Sequence, residues 1–143
     1  MAETKWGKNI LTELKLPEAM EERAEQYAKF ATRILWLDEN VVPGSFQLGI
    51  SWYLRPPENQ MAGSHSHDTD EIIAFFGSDP DNPNDLGGEI ELWIEDEKHI
   101  ITKSALCFIP AGVEHCPLKV LRVDRPILHF TTVTTGKYEQ ITD

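Results

Sequence analysis

The sequence predicts a mainly β protein, a closed antiparallel barrel or jelly roll preceded by one N-terminal helix. Three observations carry this expectation. From Arg33 onward the chain breaks into short runs rich in Ile, Val, Phe, Trp and Thr, residues suited to a pleated surface. Turn-forming clusters divide those runs at a spacing typical of all-β architectures. A length of 143 residues suits a single core rather than two.

The elements follow in order. Asn9 to Leu16 (NILTELKL) alternates apolar and polar side chains and is expected to form a short strand. Pro17 suits the first turn of a helix, and EAMEERAEQYAKFA follows it. Ala24, Tyr27, Ala28 and Ala31 supply an apolar stripe, while Glu18, Glu21, Glu22 and Glu25 complement the dipole at the N-terminal end. The strands expected next are RILWL, FQLGISWYLR, EIIAFF, EIELWIE, HIITK, ALCFI, PLKVLRV and PILHFTTV. Between them stand Val42-Pro43-Gly44, Pro56-Pro57-Glu58-Asn59, Gly87-Gly88, Asp96-Glu97-Lys98, Pro110-Ala111-Gly112 and Asp124-Arg125-Pro126. Ser78 to Gly88 (SDPDNPNDLGG) is expected to be a surface loop. It is not a calcium loop, because Pro83 occupies a ligand slot and no closing glutamate follows at the required distance. The chain is expected to be one domain, residues 1–143. Residues 1–45 form a strand-and-helix extension, 46–134 the barrel core and 135–143 a loose tail.

Composition narrows the function. A net charge of −11 argues against nucleic acid and against anionic membrane surfaces, both of which call for basic patches. It leaves room for an anionic small molecule, because a buried cation can reverse the local field. No apolar run is long enough to span a membrane, and residues 1–8 lack the apolar stretch of a secretory signal. Two cysteines, Cys107 and Cys116, are too few for a disulfide framework, so a cytoplasmic location is expected. Cys116 directly follows a candidate ligand, which raises the idea of a thiolate partner, but it is read as a small buried hydrophobe.

The stretch that carries chemistry is Gly63-Ser64-His65-Ser66-His67-Asp68-Thr69-Asp70-Glu71. Residues two apart in a strand share a face, so His65 and His67 can direct two imidazoles to one point. Glu71 lies a further even step away. Later, Pro110-Ala111-Gly112-Val113-Glu114-His115 delivers another histidine where a strand begins. Three neutral imidazoles and one carboxylate suit a divalent first-row metal with positions left open. His99, in the turn EDEKH, is expected to be exposed.

These two segments resemble the paired motifs of the cupin superfamily: His-x-His followed by Glu, then Pro-x-Gly-x-x-His. The resemblance spans roughly Gln47 to Val133, in the right order, and is greatest to small single-domain (monocupin) bacterial proteins. It implies a double-stranded β-helix, with His65, His67, Glu71 and His115 as ligands of one divalent transition metal ion (Fe, Mn, Ni, Zn or Co). Some turn positions depart from the pattern. Asn59 and Ser104 stand where glycines are usual, Gly77 arrives one residue early, and Lys119 replaces an asparagine. A homodimer is expected by analogy with related proteins.

Further site candidates lie on neighbouring strands. Tyr53 and Arg55 share the parity of His65 and His67. Tyr53 offers a proton donor and Arg55 a fork for a carboxylate, unless Arg55 merely ends its strand in solvent. His129 on the last strand is a candidate proton carrier, but parity through a two-residue turn at Asp124-Arg125 aims it the other way. Phe75, Phe108 and Trp93 are candidate pocket walls, or else core. The resemblance implies a metal acting as Lewis acid on a small oxygen-rich substrate, in a lyase, isomerase or decarboxylase. The alternatives are a ferrous dioxygenase and a non-catalytic ligand-binding or sensor domain.

Overall fold

The computed structural model describes residues 4–58 and 63–136; Asn59, and residues 137–143 of the expected tail, lie outside them. Eight strands form at the eight expected runs: β1 (Ala31–Leu37), β2 (Gln47–Tyr53), β3 (Glu71–Phe76), β4 (Asp85–Ile94), β5 (Glu97–Lys103), β6 (Ala105–Ile109), β7 (His115–Val123) and β8 (Ile127–Val133). They assemble into two antiparallel sheets, ordered β1-β2-β8-β3-β6 and β5-β4-β7. Buried side chains between the sheets, including Phe30, Tyr53, Phe75, Leu86, Ile90, Leu92, Ile109, Leu118 and Ile127, make one apolar core. This is the jelly-roll architecture that the sequence predicts.

The N-terminal segment differs from expectation. Asn9 to Leu16 forms no strand: a 3-10 turn covers Gly7–Asn9, and Ile10 and Leu14 remain exposed. Alternation alone cannot hold an extended segment that has no sheet edge to pair with. The single long helix is also absent. Two short pieces stand in its place, α1 (Glu18–Glu21) and α2 (Ala24–Ala28), and neither buries a residue. Glu18, Glu21, Glu22 and Glu25 are three or four residues apart, so like charges repel along one face. With little apolar surface covered, a helix this short gains little from packing. The chain instead enters β1 at Ala31, where Leu54 N–H donates to the Phe30 carbonyl at 2.8 Å.

Two other segments depart from the sequence reading. Strand β4 begins at Asp85, inside the expected loop. Gly77 makes the crossing possible, because a Cβ there would lie 1.8 Å from the Asp85 carbonyl oxygen. Ser104 completes the loop: its hydroxyl accepts from Gly77 N–H at 2.9 Å and donates to the Pro83 carbonyl at 2.6 Å. At the other end, Thr135 and Gly136 are not loose. Their carbonyls accept from Gln47 N–H (2.9 Å) and Glu39 N–H (3.1 Å).

Candidate metal centre and cavity

The two motif segments are joined by their backbones. His65 and His115 exchange N–H···O bonds of 2.9 and 2.8 Å in an isolated antiparallel bridge. Gly112 N–H donates to the His67 carbonyl at 2.8 Å, and Ala111 N–H to Asp70 Oδ1 at 2.9 Å. Gly112 adopts φ +84°, a left-handed turn that glycine enters without a Cβ penalty. The histidines thus extend the β4-β7 side. Glu71 starts β3 on the opposing sheet, flanked by Ile109 and Val133.

His115 faces inward because of a bulge. Leu118 and Val120 point into the core, and plain alternation back along β7 would aim residue 115 outward. The register jumps from Leu92↔Leu118 to Ile94↔His115, so Cys116 and Pro117 together oppose Trp93. Cys116 takes φ +75°, uncommon for a residue with a side chain, and the extra residue re-aims the imidazole.

The result is a compact, buried donor set. One ring nitrogen from each of His65, His67 and His115 lies within 4.8 Å of the other two. Glu71 Oε1 stands 2.8 Å from His115 Nε2 and 3.3 Å from His67 Nε2. Nδ1 of His65 faces the Gly63 carbonyl at 3.0 Å, and Nδ1 of His115 faces the Val113 carbonyl at 3.0 Å. With Nδ1–H donating to those carbonyls, each Nε2 keeps its lone pair, as metal-ligating histidines commonly do. Burial would raise the Glu71 carboxyl, but without a metal a proton carried on the facing Nε2 of His115 or His67 outweighs this and holds it at about 2. Burial lowers His65, so that ring is neutral at pH 7.

These residues fit a cation. Both Glu71 carboxylate oxygens and His115 Nε2 are buried without a well-formed hydrogen bond, although buried polar groups are normally satisfied. Three nitrogens and one carboxylate match the preferences of divalent first-row metals. Cys116 does not join them. Burial, with Glu71 nearby, pushes its thiol up to about 12, and it packs in the core.

The donor set opens into a cavity of about 900 Å³ that reaches the surface between α1-α2 and the β2 end. Tyr53 is buried with its ring stacked on His129, centroids 4.6 Å apart. His129 lines the same cavity, correcting the parity argument. Strands β7 and β8 are not a hairpin: the turn at 124–126 carries the chain from one sheet to the other, so parity does not transfer across it. Ser51 and Phe75 flank His129 on the adjacent strands, and its Nδ1 lies 3.0 Å from the Ala74 carbonyl. Burial lowers this imidazole to about 4.

The remaining candidates are sorted by position. Arg55 lies beyond the end of β2, exposed at the cavity rim, where Nη1 donates to the Lys29 carbonyl at 2.6 Å; it does not point to the histidines. Phe75 is buried but backs His129 (5.0 Å between centroids) rather than facing the cavity. Phe108 is no pocket wall: it is 61% exposed, because Ile109 faces inward and its neighbour must face outward. Trp93 donates to Glu91 outside the core, and His99 is exposed. Sequence reasoning overlooked Arg33 and Tyr27. Arg33 lines the cavity with its guanidinium 3.8 Å from the Tyr27 ring centre. An arginine interrupting the apolar run of an otherwise inward strand was the available signal.

No protein-family model matches the sequence, and no curated protein is significantly similar to it. Solved structures do resemble it. Recombinant oxalate oxidase in complex with glycolate aligns at a TM-score of 0.51 and 13% identity, covering 78% of this chain and 54% of that one. A cupin protein from Bacteroides fragilis aligns at 0.46 and 18%, over 78% of this chain and 83% of its own. The DMSP lyase DddQ from Ruegeria pomeroyi aligns at 0.44 and 18%, over 68% and 42%. The chain spans about half the length of the oxalate oxidase and less than half that of the lyase. Among the described residues no helix is long and apolar enough to cross a membrane. This chain therefore shares the fold of the oxalate oxidase over 78% of its length, and it brings together three buried histidines that could hold a metal ion.

Proposed function

We propose that the protein is a metal-dependent enzyme acting on a small oxygen-rich organic substrate, by lyase, isomerase or decarboxylase chemistry. His65, His67, Glu71 and His115 would hold one divalent transition metal ion. When bound, such an ion supplies Lewis acidity, polarising a carbonyl, hydroxyl or carboxylate oxygen and stabilising negative charge that develops there. The single observation that carries the reading is the convergence of three ring nitrogens and Glu71 at the inner end of a cavity about 900 Å³ in volume. A purely structural ion would not call for such a cavity.

The chain's own groups supply the rest. His129 stays neutral at pH 7 and directs Nδ1 to the Ala74 carbonyl, leaving Nε2 as a proton acceptor. Tyr53, stacked against it, offers a phenolic proton donor. The core residues around them exclude bulk water, which strengthens each polar interaction inside.

Elemental analysis of protein purified without added metal, alongside His67→Ala and His115→Ala, tests this reading. Wild-type protein should carry close to one equivalent of a first-row metal, and each variant should lose most of it while keeping a β-rich circular dichroism spectrum. Equal occupancy in all three proteins would refute the assignment. Turnover that persists without oxygen and with a non-redox metal would favour Lewis-acid chemistry over oxygenation.

A further inference from the structure

The cavity wall inverts the charge of the molecule. The chain as a whole carries −11, yet Arg23, Lys29, Arg33 and Arg55 line the cavity against only Glu58 and Glu71. Arg23, Lys29 and Arg55 are exposed around the opening, where like-signed charges focus a field on an approaching anion. Arg33 lies deeper. It is half-buried on β1, its Nε is buried without a hydrogen bond, and it forms no ion pair among the described residues. A guanidinium partly withdrawn from water with no carboxylate partner is costly, and a ligand that pairs with it would offset that cost.

The surroundings hold this fork in place. Its guanidinium rests on the Tyr27 ring, 3.8 Å from the ring centre. Arg33 pairs with Ser51, and Ser51 with His129, so all three stand in one row on the inner face of the sheet. Adjacent strands are about 4.8 Å apart, which puts the backbones of Arg33 and His129 about 10 Å from each other. A small molecule can bridge the gap from the guanidinium to His129, in the same cavity that His65, Glu71 and His115 line.

We infer that Arg33 is the anchor for a carboxylate, so that the site takes a small monocarboxylate with a second oxygen function directed at the histidine cluster. This deepens the proposed function and rests on it for the role of the second oxygen. Arg favours carboxylates through its bidentate fork. One unpaired guanidinium balances one negative charge, and the Glu71 carboxylate across the cavity disfavours a dianion such as phosphate.

Isothermal titration with lactate and pyruvate, their neutral counterpart lactamide, and inorganic phosphate tests the inference on wild-type protein, Arg33→Gln, Arg33→Lys and His115→Ala. Lactate and pyruvate should bind wild type about tenfold or more tightly than lactamide does, and Arg33→Gln should abolish that preference with an unchanged circular dichroism spectrum. Arg33→Lys, which keeps the charge without the fork, should fall between them. In His115→Ala, binding should weaken while the preference for the carboxylate persists. Loss of lactate binding in Arg33→Gln while wild type holds no metal would sink the metal-dependent function and leave the anchor standing. Undiminished lactate binding by Arg33→Gln, equal binding of lactate and lactamide, phosphate binding more tightly than both carboxylates, or no binding of either carboxylate would overturn the inference.

Discussion

His129 should make the fold sensitive to mild acid, by an amount that follows from its burial. Its imidazole sits between the Tyr53 and Phe75 rings and is held at about 4, against an ordinary 6.5, with burial as the main cause. The unfolded chain therefore binds a proton near pH 6.5 that the folded chain refuses until about pH 4. Because the folded value is the lower one, stability from this group is complete above pH 6.5 and drains away as pH falls towards 4. A gap of about 2.5 units at about 1.36 kcal/mol each amounts to about 3 kcal/mol, a large share of a typical stability. His129→Phe keeps an aromatic ring in the stack and removes the titration. Urea unfolding of metal-free protein at half-unit steps from pH 8 to pH 4 measures the difference. Wild type should lose about 3 kcal/mol more than His129→Phe across that range. His65 titrates in the same direction in both proteins and cancels, while Glu71, held at about 2, acts at lower pH. Parallel curves for the two proteins would refute the reasoning.

Other consequences are simpler to measure. Gly77→Ala should destabilise by about 3 kcal/mol or prevent folding, because its Cβ would lie 1.8 Å from the Asp85 carbonyl oxygen; thermal unfolding reports it. Ile90→Ala should cost about 3 kcal/mol, since this fully buried side chain leaves a cavity between the sheets, and chemical denaturation should show an unchanged slope. Cys116 should react with an aromatic disulfide reagent at pH 8 about a thousandfold more slowly in the folded protein than in denaturant, because burial pushes its thiol up to about 12. Fast reaction of both thiols in the native protein would contradict its placement in the core.

The β-strands were legible because each is a short apolar run bounded by turn residues, and those local signals agree with the final sheets. His65, His67 and Glu71 were legible for a similar reason: even spacing needs no knowledge of distant chain. The aim of His115 was different. Its spacing from Leu118 and Val120 places it on the outer face, and only the bulge at Cys116 and Pro117 turns it inward. Arg33 and Trp36 show the same effect on β1, where a register shift between Arg33 and Leu35 lets residues an odd step apart both line the cavity. The helix failed for the opposite reason. Its pattern was sound, but the segment has little apolar surface to cover, and helical propensity alone does not sustain it.

The sequence by itself determined which residues could serve as donors and which runs would be strands, because side-chain chemistry and short-range alternation are properties of neighbouring positions. Tertiary structure alone decided that His129 and Arg33 share a cavity with the donors, that Arg55 stands at its rim, and that Phe108 faces away from it. The physical reason lies in sheet pairing. Bulges and sheet-to-sheet crossings reset the parity of a strand, and they arise from the strand's partners, which a local reading of residues cannot supply.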